Sequence, residues 1–273
     1  MEIFGFLRPG ETAKSLFIGG NMERYEIPEN LVAGRNPVME LLRSDRSVDK
    51  ILIQKQEGGL GSLQRIVALA KERGIPVKDV TREKLDQLCP GLNHQGIAAF
   101  AAACDYATLE DIYERAGDEP LFVVIADNIE DPHNLGAIIR SADAAGAHGV
   151  IIPKRHGTGL TAAVMNSSAG AAQHLPVARV SNLASTVEEL KKRNVWVYAA
   201  DMDGQDWCTV DYGGAAALII GSEGSGVSRL LREKSDVIVS LPMCGKVNSL
   251  NASVAAGILL YEITRQRKKI KAK

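Results

Sequence analysis

The stretch DNIEDPHNLGAIIRSADAAGAHGVII, residues 127–152, decides how this chain is read. Asn134 stands where a helix should begin, and asparagine is a good N-cap. At 100° per residue, Leu135, Ile138, Ile139 and Ala142 then form one apolar stripe facing a sheet. Arg140 points nearly the other way, beside Gly136, Ala137, Asp143 and Ala144. Helical geometry alone makes it half of a solvated Arg140–Asp143 pair, worth about a few tenths of a kcal/mol. The small residues around it also leave a shallow surface on which a ligand or a second chain could lie.

Outward from this helix, apolar β-rich runs recur: LFVVIAD, GVIIP, PVARV, VWVYAAD, AALIIG and VIVSLP. Helical segments separate most of them, the pattern of a parallel sheet covered on both faces. Residues 31–104 read as a separate small α/β unit. In it, LVAGRNPVMELLRS is a helix entered through Asn36-Pro37 as N-cap and first-turn proline. DKILIQ, IPVKDV and GIAAFAA are strands; a helix capped by Ser62 and stopped by Gly74, and another opened by Thr81, lie between them. The polar, acidic segment CDYATLEDIYERAGDEP makes the best boundary. The expected organisation is an unassigned extension or leader at 1–21, with Met22 a suitable start, a first domain at 22–104, a linker at 105–119 and a second domain at 120–273. The second domain ends in a basic tail.

Length and composition narrow the function. A chain of 273 residues exceeds most single domains. Hydrophobic residues at 45% and charged residues at 24% suit a soluble globular protein. No apolar run reaches the roughly 18 residues of a membrane span, and the start lacks the layout of a signal peptide. Cys89, Cys104, Cys208 and Cys244 form no C-x-x-C pair, which argues against a disulfide framework or zinc site and suits a reducing cytoplasm. The histidines lack metal-ligand spacing, so no metal is expected. A net charge of −1 gives no global support to nucleic-acid binding, so that case rests on local features. PKRH (153–156), Arg43/Arg46 and the tail are modest basic clusters, and His94 reads as part of a turn.

Two further loops could carry chemistry. In LIIGSEGSGVSRLL (218–231) a buried strand ends at Gly221 and a polar, glycine-rich loop holds Glu223. Glycines at a strand end admit a ligand to the backbone, and open α/β sheets bind ligands beyond their carboxyl ends. The spacing is not that of a dinucleotide fingerprint, and no ribose-binding acid follows, which disfavours a dehydrogenase. In LPMCGKVNSLNASVAAGILLYE (241–262), Asn248, Ser249, Asn251 and Ser253 offer more polar groups than one helix cap requires.

Together and in this order, NLGAIIRSADAAG, IIGSEGSGVSRLL and LPMCGKVNSLNASVAAGILLYE resemble the motifs of the SpoU (TrmH) family of RNA ribose 2′-O-methyltransferases, in the SPOUT superfamily. LVAGRNPVMELL and NHQGIAA resemble the small RNA-binding domain, akin to certain ribosomal proteins, of the branch that methylates guanosine in 23S rRNA. The resemblance implies a trefoil-knotted α/β domain with a parallel sheet, an S-adenosylmethionine site in the knot, and a homodimer whose active site draws on both subunits. It places the catalytic group on Asn134, Arg140, Glu223, Ser249 and Asn251, and cofactor contacts on Gly221, Leu241 and Leu250. Asn248 departs from the glycine or serine common in relatives. Methylation of tRNA or of another rRNA nucleotide, including the antibiotic-resistance type, is the near alternative. A non-catalytic RNA-binding protein is the distant one, and the intact motif residues speak against it. Within this chemistry a guanidinium, whose pKa exceeds about 12, suits a clamp on phosphate or a developing alkoxide better than a base.

Overall fold

The computed structural model describes residues 28, 30–44, 46–55 and 63–269. The expected leader, the Ser62 cap and the last tail residues lie outside these. The chain divides into two compact units, Met1–Ala101 and Ala102–Lys273.

The first unit is a four-stranded sheet in the order β1 (Leu31–Ala33), β4 (Ile97–Ala101), β2 (Val48–Gln54), β3 (Val77–Val80). β2 and β3 run parallel, and β4 is antiparallel to both its neighbours. Helices α1 (Arg35–Arg43) and α2 (Gln64–Glu72) pack Val38, Leu41, Leu42, Ile66 and Ala70 on Ile51 and Ile53 of one face. Helix α3 (Arg82–Leu88) puts Leu85 against Leu52 and Ala98 on the other. Thr81 caps α3 as expected, accepting from the Lys84 N–H. The expected Asn36 cap is not used. Gly34 is the N-cap of α1 with φ 101°, and the Arg35 N–H is met from afar by Gln95 Oε1 at 3.2 Å. Asn36 and Pro37 therefore sit inside the first turn. His94 is buried: its Nδ1 accepts from the Gly96 N–H, and its Nε2 lies 2.8 Å from Asp86 Oδ1.

The second unit is a six-stranded, all-parallel sheet in the order β10 (Val237–Ser240), β8 (Trp196–Asp206), β9 (Ala216–Ile220), β5 (Phe122–Ala126), β6 (Gly149–Pro153), β7 (Val177–Val180). β5 and β9 are buried along their whole length, as the continuous apolar runs require. Helices α5 (Pro132–Ala144), α6 (Ala162–Ser167) and α9 (Ala252–Arg267) cover one face, and α4 (Leu109–Ala116), α7 (Leu183–Lys192) and α8 (Arg229–Lys234) the other. Residues 105–119, expected as a linker, hold α4 instead. A reciprocal Thr108/Asp111 capping box starts this helix, and buried Ile112 and Ala116 seat it in the core of the second unit. Its polarity belongs to its outer face. β8 outruns the expected VWVYAAD because Gly204 lets β10 lie close beyond a register shift; a Cβ there would be 2.6 Å from Ile238 O.

The order of the strands locates the site. The chain winds outward from β5 through β6 to β7, crosses back to β8, and inserts β9 between β8 and β5. Crossovers leave β5 and β9 in opposite directions, so a crevice opens beyond their carboxyl ends.

Candidate active site

Helix α5 begins at that crevice, and its cap differs from the expectation. Asp131 is the N-cap, accepting from the His133 N–H at 2.9 Å, and Pro132 occupies the first turn. Asn134 is thus inside the helix, buried at 7% exposure, with its amide free for other partners. The end of β9 supplies the next wall. A Cβ on Gly221 would fall 2.0 Å from the Gly226 carbonyl carbon, so only glycine lets the loop fold back on itself. The room beside Gly221 is filled by the chain's own backbone. Buried Asp127 fixes the loop, its Oδ2 accepting from the Ser228 N–H at 2.7 Å while its N–H donates to Ile220 O.

The third wall is the start of α9. Asn251 caps it, its Oδ1 accepting from the N–H groups of Ser253 and Val254. The other half of the same amide joins the three loops. Asn251 Nδ2 donates to Asn134 Oδ1 at 2.9 Å and to Glu223 Oε1, and Asn134 Nδ2 donates to Glu223 Oε1 at 3.1 Å. Three residues from three separate sequence motifs thus form a closed ring of hydrogen bonds. Both amide donors fall on one carboxylate oxygen, and among the described residues nothing bonds Glu223 Oε2.

Arg140 and Ser249 stay outside the ring. Arg140 is exposed and, among the described residues, makes no ion pair; Asp143, its expected partner, lies 3.9 Å from Arg115 instead. Six residues along α5 from Asn134 place it roughly 9 Å further down the helix and about 120° around it. The shallow face expected beside it is partly filled, because Gly136 is buried where Ser167 of α6 packs against it. Ser249 is exposed in the segment 241–250. Among the described residues, none of these ten makes a hydrogen bond. Leu241 and Leu250, at its two ends, are half-buried.

An open cleft of ≈ 720 Å³ adjoins the ring, lined by 128–131, Asn134, His156 and 222–225. Gly221, Leu241 and Leu250 are not part of its lining. Asp127, Asn128, Glu130 and Asp131 were not among the expected site residues, and His156 was expected only as part of the basic cluster PKRH. The Asp131-Pro132 pair was the available signal for the cap.

Residues 121–261 match the SpoU rRNA methylase family, and residues 31–107 match the RNA 2′-O ribose methyltransferase substrate-binding domain. The first match spans more than half of the chain. It belongs to the SpoU (TrmH) family of RNA methyltransferases. A relative from Bacillus subtilis (strain 168), YacO, classed among TrmH family tRNA/rRNA methyltransferases, is 49% identical over 86% of this chain and 95% of its own length. The SpoU methyltransferase AviRb from Streptomyces viridochromogenes, solved with the cofactor AdoMet, superimposes with TM-score 0.56 at 28% identity, covering 88% of this chain and 90% of AviRb. An AdoMet-bound rRNA methyltransferase from Sinorhizobium meliloti gives 0.52 at 25% identity over 89% and 88%. In this SpoU member the ring joins one residue from each of the three motifs, and the first unit is the substrate-binding domain of the family.

Proposed function

We propose that this chain is an S-adenosylmethionine-dependent methyltransferase acting on the ribose 2′-hydroxyl of a guanosine in 23S rRNA, as a cytoplasmic homodimer. The observation that carries the reading is the Asn134–Glu223–Asn251 ring at the crevice of a parallel sheet, beside a segment whose backbone groups are unspent. The resemblance of the first unit to the large-subunit rRNA branch supports the choice of RNA.

The residues present fit the cofactor. Segment 241–250 offers free N–H and C=O groups for the edge of an adenine, and half-buried Leu241 and Leu250 offer apolar surface for its faces. Gly221 fixes the loop that carries Glu223 next to them. S-adenosylmethionine supplies a methyl electrophile and a neutral leaving group. The chain must align the ribose, remove its proton and stabilise the oxygen, since a ribose hydroxyl is a poor nucleophile at neutral pH. Glu223, pinned through Oε1 by two amides, keeps Oε2 to accept the hydroxyl proton or to orient Arg140. Asn134 and Asn251 hold that carboxylate in place. Ser249 and Asn251 position the cofactor loop and the nucleotide, and Arg140 clamps a phosphate or the developing alkoxide.

The distance between Arg140 and the ring of its own subunit supports assembly of the site across a two-fold dimer. Val254 and Tyr261 of α9 are exposed at 49% and 56%, and Gly257 of α9 packs beside Ser141, next to Arg140. A second copy covering this face would bury apolar surface and bring its own Arg140 with it. The return of α9 onto α5, after β10 has been laid outside β8, supports a threaded C-terminal segment.

Mapping ribose methylation in RNA from cells with and without this gene tests the reading. One 2′-O-methylguanosine in 23S rRNA should disappear when the gene is absent. Loss of a tRNA mark, or of a base methylation, would replace it.

A further inference from the structure

The cleft beside the ring is assigned by its uncommitted side chains. Asp131 is spent as a helix cap, Glu223 Oε1 and Asn134 are spent in the ring, and Ser222 and Ser225 bond each other at 2.7 Å. Among the described residues, the polar side chains that line the cleft without any hydrogen bond or ion pair are Asn128, Glu130 and His156. Two loops bring them together. The Thr158 N–H donates to Ile129 O at 2.8 Å, which ties the loop holding His156, two residues before Thr158, to the loop holding Glu130, and both side chains line the same cleft.

We propose that this cleft receives the base of the acceptor nucleotide, with the Glu130 carboxylate reading the edge of guanine and the His156 ring stacking on its face. The assignment rests on the proposed function above and names how its target is chosen. Three carboxylates, Glu130, Asp131 and Glu223, line the cleft, so a phosphodiester is repelled from it and a base edge rich in donors is drawn in. Guanine presents two adjacent N–H groups, N1–H and the 2-amino group, which match the two oxygens of one carboxylate. Uracil and cytosine offer a single donor group on that edge, and adenine only its 6-amino group. Charge-assisted pairing of this kind is both strong and geometrically selective. RNA enzymes that reach a sugar or base inside a structured strand splay the nucleotide out and stack it on aromatic side chains, histidine among them. The shared wall, Asn134 and Glu223, would then leave the ribose of the captured nucleotide beside Glu223 Oε2.

The test uses the full-length enzyme and a synthetic RNA fragment carrying the methylated nucleotide, either as guanosine or as inosine, which lacks the 2-amino group. Wild type should prefer guanosine by roughly 10- to 100-fold in kcat/KM, the range of one bidentate base contact. Glu130→Gln should lower kcat/KM on guanosine by a similar factor and erase the preference over inosine, with S-adenosylmethionine binding unchanged. His156→Asn keeps a residue that tolerates the left-handed backbone found there, φ 59°, and so tests the ring alone. It should raise KM about 10-fold, within the range of one base stack, and leave Tm unchanged. A Glu130→Gln enzyme that retains the full guanosine preference overturns the assignment. So does one whose defect is weaker S-adenosylmethionine binding, since the cleft would then serve the cofactor. A wild-type enzyme that methylates a different nucleotide overturns the target and this assignment together, a result recognisably different from the other two.

Discussion

The two ends of helix α9 are built on opposite principles. At its start Asn251 divides one amide between capping the helix and holding Glu223, and the segment before it leaves its backbone groups unspent. At its far end Thr264, Gln266 and Arg267 are tied down. Thr264 donates to Ala145 O, Gln266 bridges Val210 O and the Tyr212 N–H, and Arg267 donates to Gly214 O and Pro120 O while lying over the Phe122 ring. The same sheet thus has one end whose polar groups wait for partners and one whose groups have found them. Binding sites must leave hydrogen-bonding capacity open, whereas a structural end gains stability by closing it.

Substitutions of side chains that the fold leaves uncommitted should therefore cost activity before stability. The largest effect is expected for Arg140→Ala. The exposed side chain has no partner among the described residues, so Tm should hold and S-adenosylmethionine should bind nearly normally. Methyl transfer should fall by about 10²–10³-fold, the usual cost of one lost transition-state donor. Single-turnover methylation with calorimetric cofactor binding checks this, and full activity would sink the role. Asn251→Ala should come next and blur the contrast, because this residue serves both purposes. Loss of the cap should cost about 1 kcal/mol, read in denaturant, while freeing Glu223 should reduce kcat by at least tenfold. Equal percentage losses in stability and rate would mean that the ring is only structural.

The contrast also explains what could be read from the chain. The strand segments and the apolar stripe of α5 were legible because period and burial are local properties of sequence, whereas the order of the strands in the sheet was not. The closed ring was foreshadowed, since Asn134, Glu223 and Asn251 were each singled out on their motifs, but their meeting depends on three loops converging. Caps were harder. Asp131 and Asn134 both satisfy the local rule, and Pro132 in the first turn decides between them. Gly34 displaced Asn36 through a partner, Gln95, that no local pattern reveals. The surface beside Arg140 is narrower than expected because Ser167, from another helix, occupies the space at Gly136. Glu130 and His156 belong to loops that look like ordinary polar turns until Thr158 joins them to Ile129.

At the closed end the order of effects should reverse. Arg267→Ala removes two hydrogen bonds to carbonyl oxygens and the contact over Phe122. A loss of about 1–2 kcal/mol is expected, at the low end for hydrogen bonds from a charged donor because both acceptors belong to exposed residues. In a unit of this size each kcal/mol lowers Tm by roughly 2–4 °C. Methylation below the transition should keep wild-type kcat and KM. A variant with normal Tm but slow catalysis would show that the two ends are coupled through α9.

The smallest effect belongs to His148, in the same closed region. The ring is buried, its Nδ1 accepts from the Phe122 N–H at 3.0 Å, and its Nε2 faces Glu119 Oε2 at 3.5 Å, with Arg115 and Arg267 near by. Burial holds its pKa below the ordinary 6.5, outweighing the carboxylate of Glu119, and the two arginines push the same way as burial. The unfolded chain therefore takes up this proton first as pH falls. The stability this residue contributes is complete above about pH 6.5 and is lost as pH drops from there towards the lowered folded value. Tm measured across that range should decline in wild type. His148→Gln keeps an oxygen that can accept from Phe122 but does not titrate, so its decline should be shallower by the share of this one group. An identical slope in both proteins would assign the acid sensitivity to the carboxylates instead, and the closed end would then carry no titrating side chain of consequence.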